Sequence, residues 1–233
     1  MSDFIVSIAI GVVATVLAIT LHEAAHGYAA WALGDDTAKK MGRLSLNPLR
    51  HVDRVGTIIL PGILLVGQLL TIGRVAFMFG WAKPVPVSAW RFRDPRRGMM
   101  VVAAAGPAMN FFLAWIGALG GFLLPHLPAS SMVPFATFIQ DFILANIVLG
   151  LFNLLPIPPL DGGRIVVGLL PLALAERWAR LERAGIAIVM LLIFVVPAAS
   201  REFGWNFDPV HTLLDRVVPW TMRLVFNLAG QHV

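Results

Sequence analysis

Long apolar stretches alternate with short polar connections along this chain. Runs of membrane-spanning length fall at about 4–31, 98–124, 134–156 and 184–199. A fifth stretch, about 212–229, is interrupted by Asp215, Arg216, Pro219 and Arg223, so it either crosses a bilayer or lies in its interface. Residues 57–80 are apolar as well, but Pro61, Arg74 and the glycines at 62, 67, 73 and 80 break the run. The pattern predicts an all-α polytopic membrane protein. No repeat or polar block marks off a soluble part, so 1–233 reads as one integral membrane domain. The first run is longer than the apolar core of a secretory signal and follows no basic leader, so it reads as a retained span.

Composition agrees with the pattern. The chain is 58% hydrophobic and 13% charged, against about 25% charged in soluble domains. With no cysteine, disulfides, thiolate metal sites and a cysteine nucleophile are excluded. A net charge of +5 would suit nucleic acid, but its placement points to the lipid bilayer instead. The connection 35–56 holds Lys39, Lys40, Arg43, Arg50 and Arg54, and 81–97 holds Lys83, Arg91, Arg93, Arg96 and Arg97. The connection 125–133 and the N-terminus hold neither residue type. Cytoplasmic loops carry the excess of Lys and Arg, so both basic connections are expected inside. That requires 57–80 to enter and leave on one side, as a re-entrant or interfacial element, which is tolerated where protein covers it. The first span then runs inward, 98–124 returns, and 134–156 comes back in. The end of the first span and the end of 134–156 thereby reach one depth, on the cytoplasmic side.

Both of those ends carry chemistry. The stretch "TLHEAAHGYAA", from Thr20, places His22, Glu23 and His26 at the end of an apolar run, where charge is costly unless paired or bound to metal. On a helix His22 and His26 lie about 40° apart on one face, so two imidazoles can grip one zinc ion. Glu23, rotated by about 100°, can serve a water at the metal without being a ligand. Three protein ligands with one open position make a catalytic site, and a closed set of four makes a structural one. Asp161 in "PPLDGG" is the only carboxylate expected at that depth on another helix. The flanking prolines and glycines would let it turn inward; as an alternative, Asp161 caps a helix starting at Gly162. Two neutral imidazoles, a carboxylate and a hydroxide around zinc carry no net charge, which suits an apolar setting.

"HEAAH", then "AAAGPAMN" at 103–110, then "NLLPIPPLDGG" at 153–163 together resemble the site-2 protease family of intramembrane zinc metalloproteases. The intervening "GRLSLNPLRHVDRVGT" and "GWAKPVPV" look like its compact bacterial branch, which lacks appended soluble domains. The resemblance covers nearly all of residues 15–170. It implies His22, His26 and Asp161 as ligands of one zinc ion per chain and Glu23 as general base. It implies a three-helix core within about 4–173, with further helices over about 184–229, in a bacterial inner membrane. The implied substrates are membrane-spanning segments of other membrane proteins. Rival readings are a non-catalytic zinc-binding scaffold, which has no use for Glu23, and a metal transporter, which would need polar residues along a whole path.

Asn110 and Asn153 are expected either to hydrogen-bond substrate or an oxyanion, or to join helices as buried amides. "KPVPVS" at 83–88 alternates Pro and Val as an edge strand can, and strand addition would hold an unwound substrate extended; an extended loop is the alternative. His51, His126, His211 and His232 receive no role. "RFRDPRR" and "ERWARLER" are expected to anchor the interface, and Asp141 to snorkel or cap.

Overall fold

The structure, a computed structural model, describes residues 2–74 and 80–231. Its frame is helical because the apolar runs leave the backbone no water to bond with, and a helix satisfies its own N–H and C=O groups. Helix α1 (Ser2–Ala32) is about 46 Å long at 1.5 Å per residue, which exceeds a hydrocarbon core of about 30 Å. A single turn, α2 (Thr37–Lys40), follows. Residues Arg54–Ile59 form a π turn that runs directly into α3 (Leu60–Ile72). Helix α4 (Pro95–Gly120) starts at an Asp94 cap whose carboxylate accepts from the Arg96 and Arg97 N–H groups. It continues as a 3-10 stretch, Gly121–His126. Then come α5 (Ala129–Asn153), α6 (Asp161–Leu169) and α7 (Leu172–Arg180). Helix α8 (Gly185–Met190) passes through a π turn, Leu191–Val195, into α9 (Val196–Glu202), and α10 (Pro209–Leu228) follows.

α1, α4 and α5 pack against one another, α6 lies on α4, and α10 covers part of α4 and α5. Small residues make the contacts: Ala14, Ala18, Ala114 and Ala118 are fully buried. A Cβ added at Gly117 would lie 2.8 Å from Ile143. Close approach between small residues is how helices gain contact in lipid, where burial alone gives no advantage. Large apolar side chains point outward instead, among them Ile5, Val12, Ile63 and Leu70. Among the described residues, five helical stretches are long and apolar enough to cross a membrane: Ile5–Ala32, Arg54–Thr71, Pro95–His126, Ala129–Asn153 and Leu172–Glu202. The protein is an integral, multi-pass membrane protein.

Two expectations change. Residues 54–72 are continuous helix rather than a broken segment: Pro61 follows a π turn whose Gly56 carbonyl accepts instead from the Trp81 N–H at 3.1 Å, so the missing proline N–H leaves no acceptor stranded, and only Gly73, at φ 68, ends α3. The remainder of that stretch, 75–79, lies outside the described residues. The possible strand at 83–88 is absent: no strand occurs among the described residues. Pro84 and Pro86 have no N–H to offer a ladder, and side chains take the backbone groups between them.

Candidate metal centre

His22 and His26 occupy successive turns of α1, with rings edge to face and centroids 4.7 Å apart. Each ring is oriented from behind by α4. His26 Nδ1–H donates to the Val102 carbonyl at 2.7 Å, and His22 Nδ1–H donates to Asn110 Oδ1 at 2.6 Å. An acceptor behind each Nδ1 leaves each Nε2 with an outward lone pair. Gly106 makes this approach feasible, since a Cβ there would lie 2.5 Å from His26 Nε2 and 2.6 Å from His22 Cε1.

Asp161 comes from the start of α6. The backbone of 154–158 folds tightly against that first turn, where only glycine fits. A Cβ on Gly162 would meet the Leu155 carbonyl oxygen at 2.2 Å, and one on Gly163 the Pro158 nitrogen at 2.6 Å. The helix begins at Asp161 itself, after a Leu160 cap position without a side-chain bond, so the carboxylate is free of capping. It turns toward α1, with Oδ2 3.2 Å from His22 Nε2 and 3.3 Å from His26 Nε2.

Three acceptors therefore face one another, because Asp161 Oδ2 is buried and has no donor. The edges of the triangle are 3.1, 3.2 and 3.3 Å. A tetrahedron of ligands about 2.0 Å from its centre has edges of about 3.3 Å. Lone pairs gathered at that spacing in an apolar surrounding repel unless a cation lies between them. The donor set of two imidazoles and a carboxylate thus fits zinc. Donor atoms of His22, Glu23 and His26 also cluster within 4.8 Å. The Asp161 contacts are closer, so Asp161 completes the triangle and Glu23 stands beside it.

Glu23 opens onto a cavity of about 620 Å³, with a mostly apolar lining that includes Val85, Phe152, Val189 and Phe194. Its Oε2 accepts from the Val85 N–H at 3.2 Å. The 83–88 segment thus lines the cavity as an irregular loop, through Pro84, Val85 and Val87, and is tied at three points. Arg43 Nη2 donates to the Lys83 carbonyl at 2.9 Å, Val85 N–H reaches Glu23, and Ser88 N–H donates to Asp35 Oδ2 at 2.6 Å. Asp35 is fully buried. Burial opposes its ionisation, but the Ser88 N–H, the Thr37 hydroxyl and N–H, and Arg91 outweigh it and hold the carboxyl below its ordinary range.

Other expected residues take plainer places. Asn110 is fully buried, with Oδ1 bonded to His22 and Nδ2 donating to Asn146 Oδ1 at 2.8 Å. A substrate contact is ruled out for Asn110 by that enclosure, and the buried-amide alternative stands. Asn153 does line the cavity, and its Nδ2 donates to the Leu149 carbonyl at 3.0 Å. His51 is buried and bonds the Ser45 carbonyl at 2.8 Å. His211 pairs with Asp215 on the surface, and His232 lies outside the described residues. Arg91 pairs with Asp36 and Arg164 with Glu182 at 2.9 Å. Asn146 and Asp35 escaped the sequence reading, because their partners are 36 and 53 residues away. The available signal was an amide and a carboxylate beside apolar runs that buries them.

Residues 126–196 match the model of peptidase family M50. Among curated proteins named "Putative zinc metalloprotease", YwhC of Bacillus subtilis (strain 168) is 42% identical over 193 residues, 81% of each chain. Rip2 of Mycolicibacterium smegmatis is 31% identical over 208 residues, covering 85% of this chain and 70% of its own. Rip2 of Mycobacterium tuberculosis (strain H37Rv) is likewise 31% identical, over 204 residues, with the same coverage. No solved structure matches. With its relatives aligned across four-fifths of the chain and a zinc-shaped triangle at the meeting of α1, α4 and α6, this chain belongs to peptidase family M50, the site-2 proteases, and is a zinc metalloprotease of the membrane.

Proposed function

We infer that this protease works within the membrane, hydrolysing peptide bonds in or near the transmembrane segments of other membrane proteins. One observation carries the reading: a carboxylate, Glu23, stands beside a triangle of convergent acceptors and opens onto an apolar cavity. His22 Nε2, His26 Nε2 and Asp161 Oδ2 would hold the zinc ion. When bound, zinc acidifies a water and polarises the scissile carbonyl. Glu23 receives the water's proton at Oε1, its Oε2 being occupied by the Val85 N–H, and delivers it to the departing amine. The Val85 bond fixes the carboxylate rotamer, so the base is aimed before substrate arrives. Apolar walls from α5 and α8 accept apolar side chains and keep the peptide out of bulk water. The 83–88 segment lies where an unwound substrate strand would pass, and Asn153 offers it an amide from the cavity wall.

Charge orients the assembly. Both basic connections, 35–56 and 81–97, flank this end of α1 and α4, which supports a cytoplasmic-side site in a bacterial inner membrane. Water then has a short route to the zinc.

The test is cleavage of a purified membrane-spanning peptide, with and without a zinc chelator, by the native protein and by Glu23→Gln. Chelation is expected to abolish cleavage, and Glu23→Gln to lower it by at least about a hundredfold while zinc is retained. Equal cleavage by both proteins would remove Glu23 from the mechanism. Zinc binding without cleavage of any spanning peptide would favour the scaffold.

A further inference from the structure

Behind His22 runs a chain of buried amides whose direction is not free. Asn146 Nδ2 donates to the Phe142 carbonyl at 2.8 Å. That carbonyl is backbone and can only accept, so the Asn146 side chain must turn its NH₂ toward Phe142 and its oxygen away. The oxygen meets Asn110 Nδ2 at 2.8 Å, which fixes the second amide as well: its NH₂ faces α5 and its oxygen faces α1. A longer approach of Asn110 Nδ2 to the Ala18 carbonyl, at 3.5 Å, agrees with that orientation. Asn110 Oδ1 then accepts from His22 Nδ1 at 2.6 Å, and a ring that donates through Nδ1 keeps its Nε2 lone pair for the cavity. Both asparagines are fully buried, so no water competes for these bonds.

We propose that Asn146 is a positioning residue for the zinc site, setting the orientation of Asn110 and through it the tautomer of His22. This rests on His22 being a zinc ligand. A flipped Asn110 would present NH₂ to Nδ1, move the ring proton to Nε2, and block the ligand atom. Asn146 touches neither metal nor substrate. It anchors polarity from a backbone carbonyl one helix further out, tying α5 to a ring on α1 through α4.

The experiment measures the zinc dissociation constant of the purified full chain by competition with a chromogenic chelator. Asn146→Leu removes the acceptor that orients Asn110, and zinc should bind about tenfold to a hundredfold more weakly. Asn146→Ser, smaller and still able to bond the Phe142 carbonyl, is too short to reach Asn110, so a similar loss is expected even if the leucine variant fails to fold. Asn146→Asp, protonated in this buried place, keeps both a donor and an acceptor and should bind within about threefold of the native protein; its contrast with Asn146→Leu, which keeps the bulk and loses the polarity, separates hydrogen bonding from packing. His22→Ala is the control for the underlying reading. If it binds zinc as the native protein does, that reading fails. If it loses zinc while Asn146→Ser binds normally, the positioning role is overturned, as it is if Asn146→Asp is as weak as Asn146→Ser.

Discussion

At the residue scale, the site depends on atoms having nowhere else to go. The HExxH spacing was legible because an i, i+4 pair needs only a helix to become a metal-binding face. Asp161 was reachable through its motif, and the capping alternative falls because the carboxylate turns to the histidines. Asn146 was not legible: a lone amide in an apolar helix has no spacing signature, and its meaning comes from a partner 36 residues away. Gly106 offers a sharp prediction. A methyl there would meet the His26 ring at 2.5 Å, and a ring pushed off its Val102 bond cannot hold its place in the triangle. Gly106→Ala should weaken zinc binding by more than about tenfold, measured by chelator competition, with the helical circular dichroism unchanged.

At the scale of elements, the question is how irregular chain is held over a cavity. The alternation of Pro and Val at 83–88 left both an edge strand and an extended loop open. The outcome was decided by partners that sequence could not pair, namely Arg43, Glu23 and Asp35 taking the backbone groups. Asp35 anchors the far end of the segment. Asp35→Ala would leave the buried Ser88 N–H unpaired and is expected to cost about 3 kcal/mol, read as a lower Tm in detergent, and to loosen the segment enough to raise KM. The sign of the pH effect follows from the lowered pKa of Asp35. Its stabilisation is fully present above the ordinary carboxyl value of 3.8 and is lost as pH falls through the depressed value. The stability difference between the native protein and Asp35→Ala should therefore shrink on acidification below about pH 4; a constant difference would show that the charge of Asp35 is not what anchors the loop. On the opposite side, Gly162→Ala would drive a Cβ to 2.2 Å from the Leu155 carbonyl. It should displace Asp161 and abolish tight zinc binding.

At the scale of the whole molecule, apolar runs foretold the helices, and small residues brought three of them together. Within 57–80 the breaks were misplaced in part: Pro61, Gly62 and Gly67 lie inside helix, where the preceding π turn accommodates the proline, whereas Gly73, at φ 68, does end α3. Sidedness can be tested directly, since the chain has no cysteine. Leu46 and Trp90 are 57% and 80% exposed in the two basic connections, and Ser131 is exposed beyond the other end of α4. Leu46→Cys and Trp90→Cys should react with an impermeant maleimide only from the cytoplasmic face, and Ser131→Cys only from the opposite one. Hydrolysis itself needs something more local: a single zinc ion held by two imidazoles of α1 and a carboxylate of α6. Anomalous diffraction at the zinc edge from crystals of the zinc-loaded protein tests it most directly. One strong peak is expected about 2.0–2.2 Å from each of His22 Nε2, His26 Nε2 and Asp161 Oδ2. A peak bound to other residues, or one at the histidines with Asp161 remote from it, would contradict it.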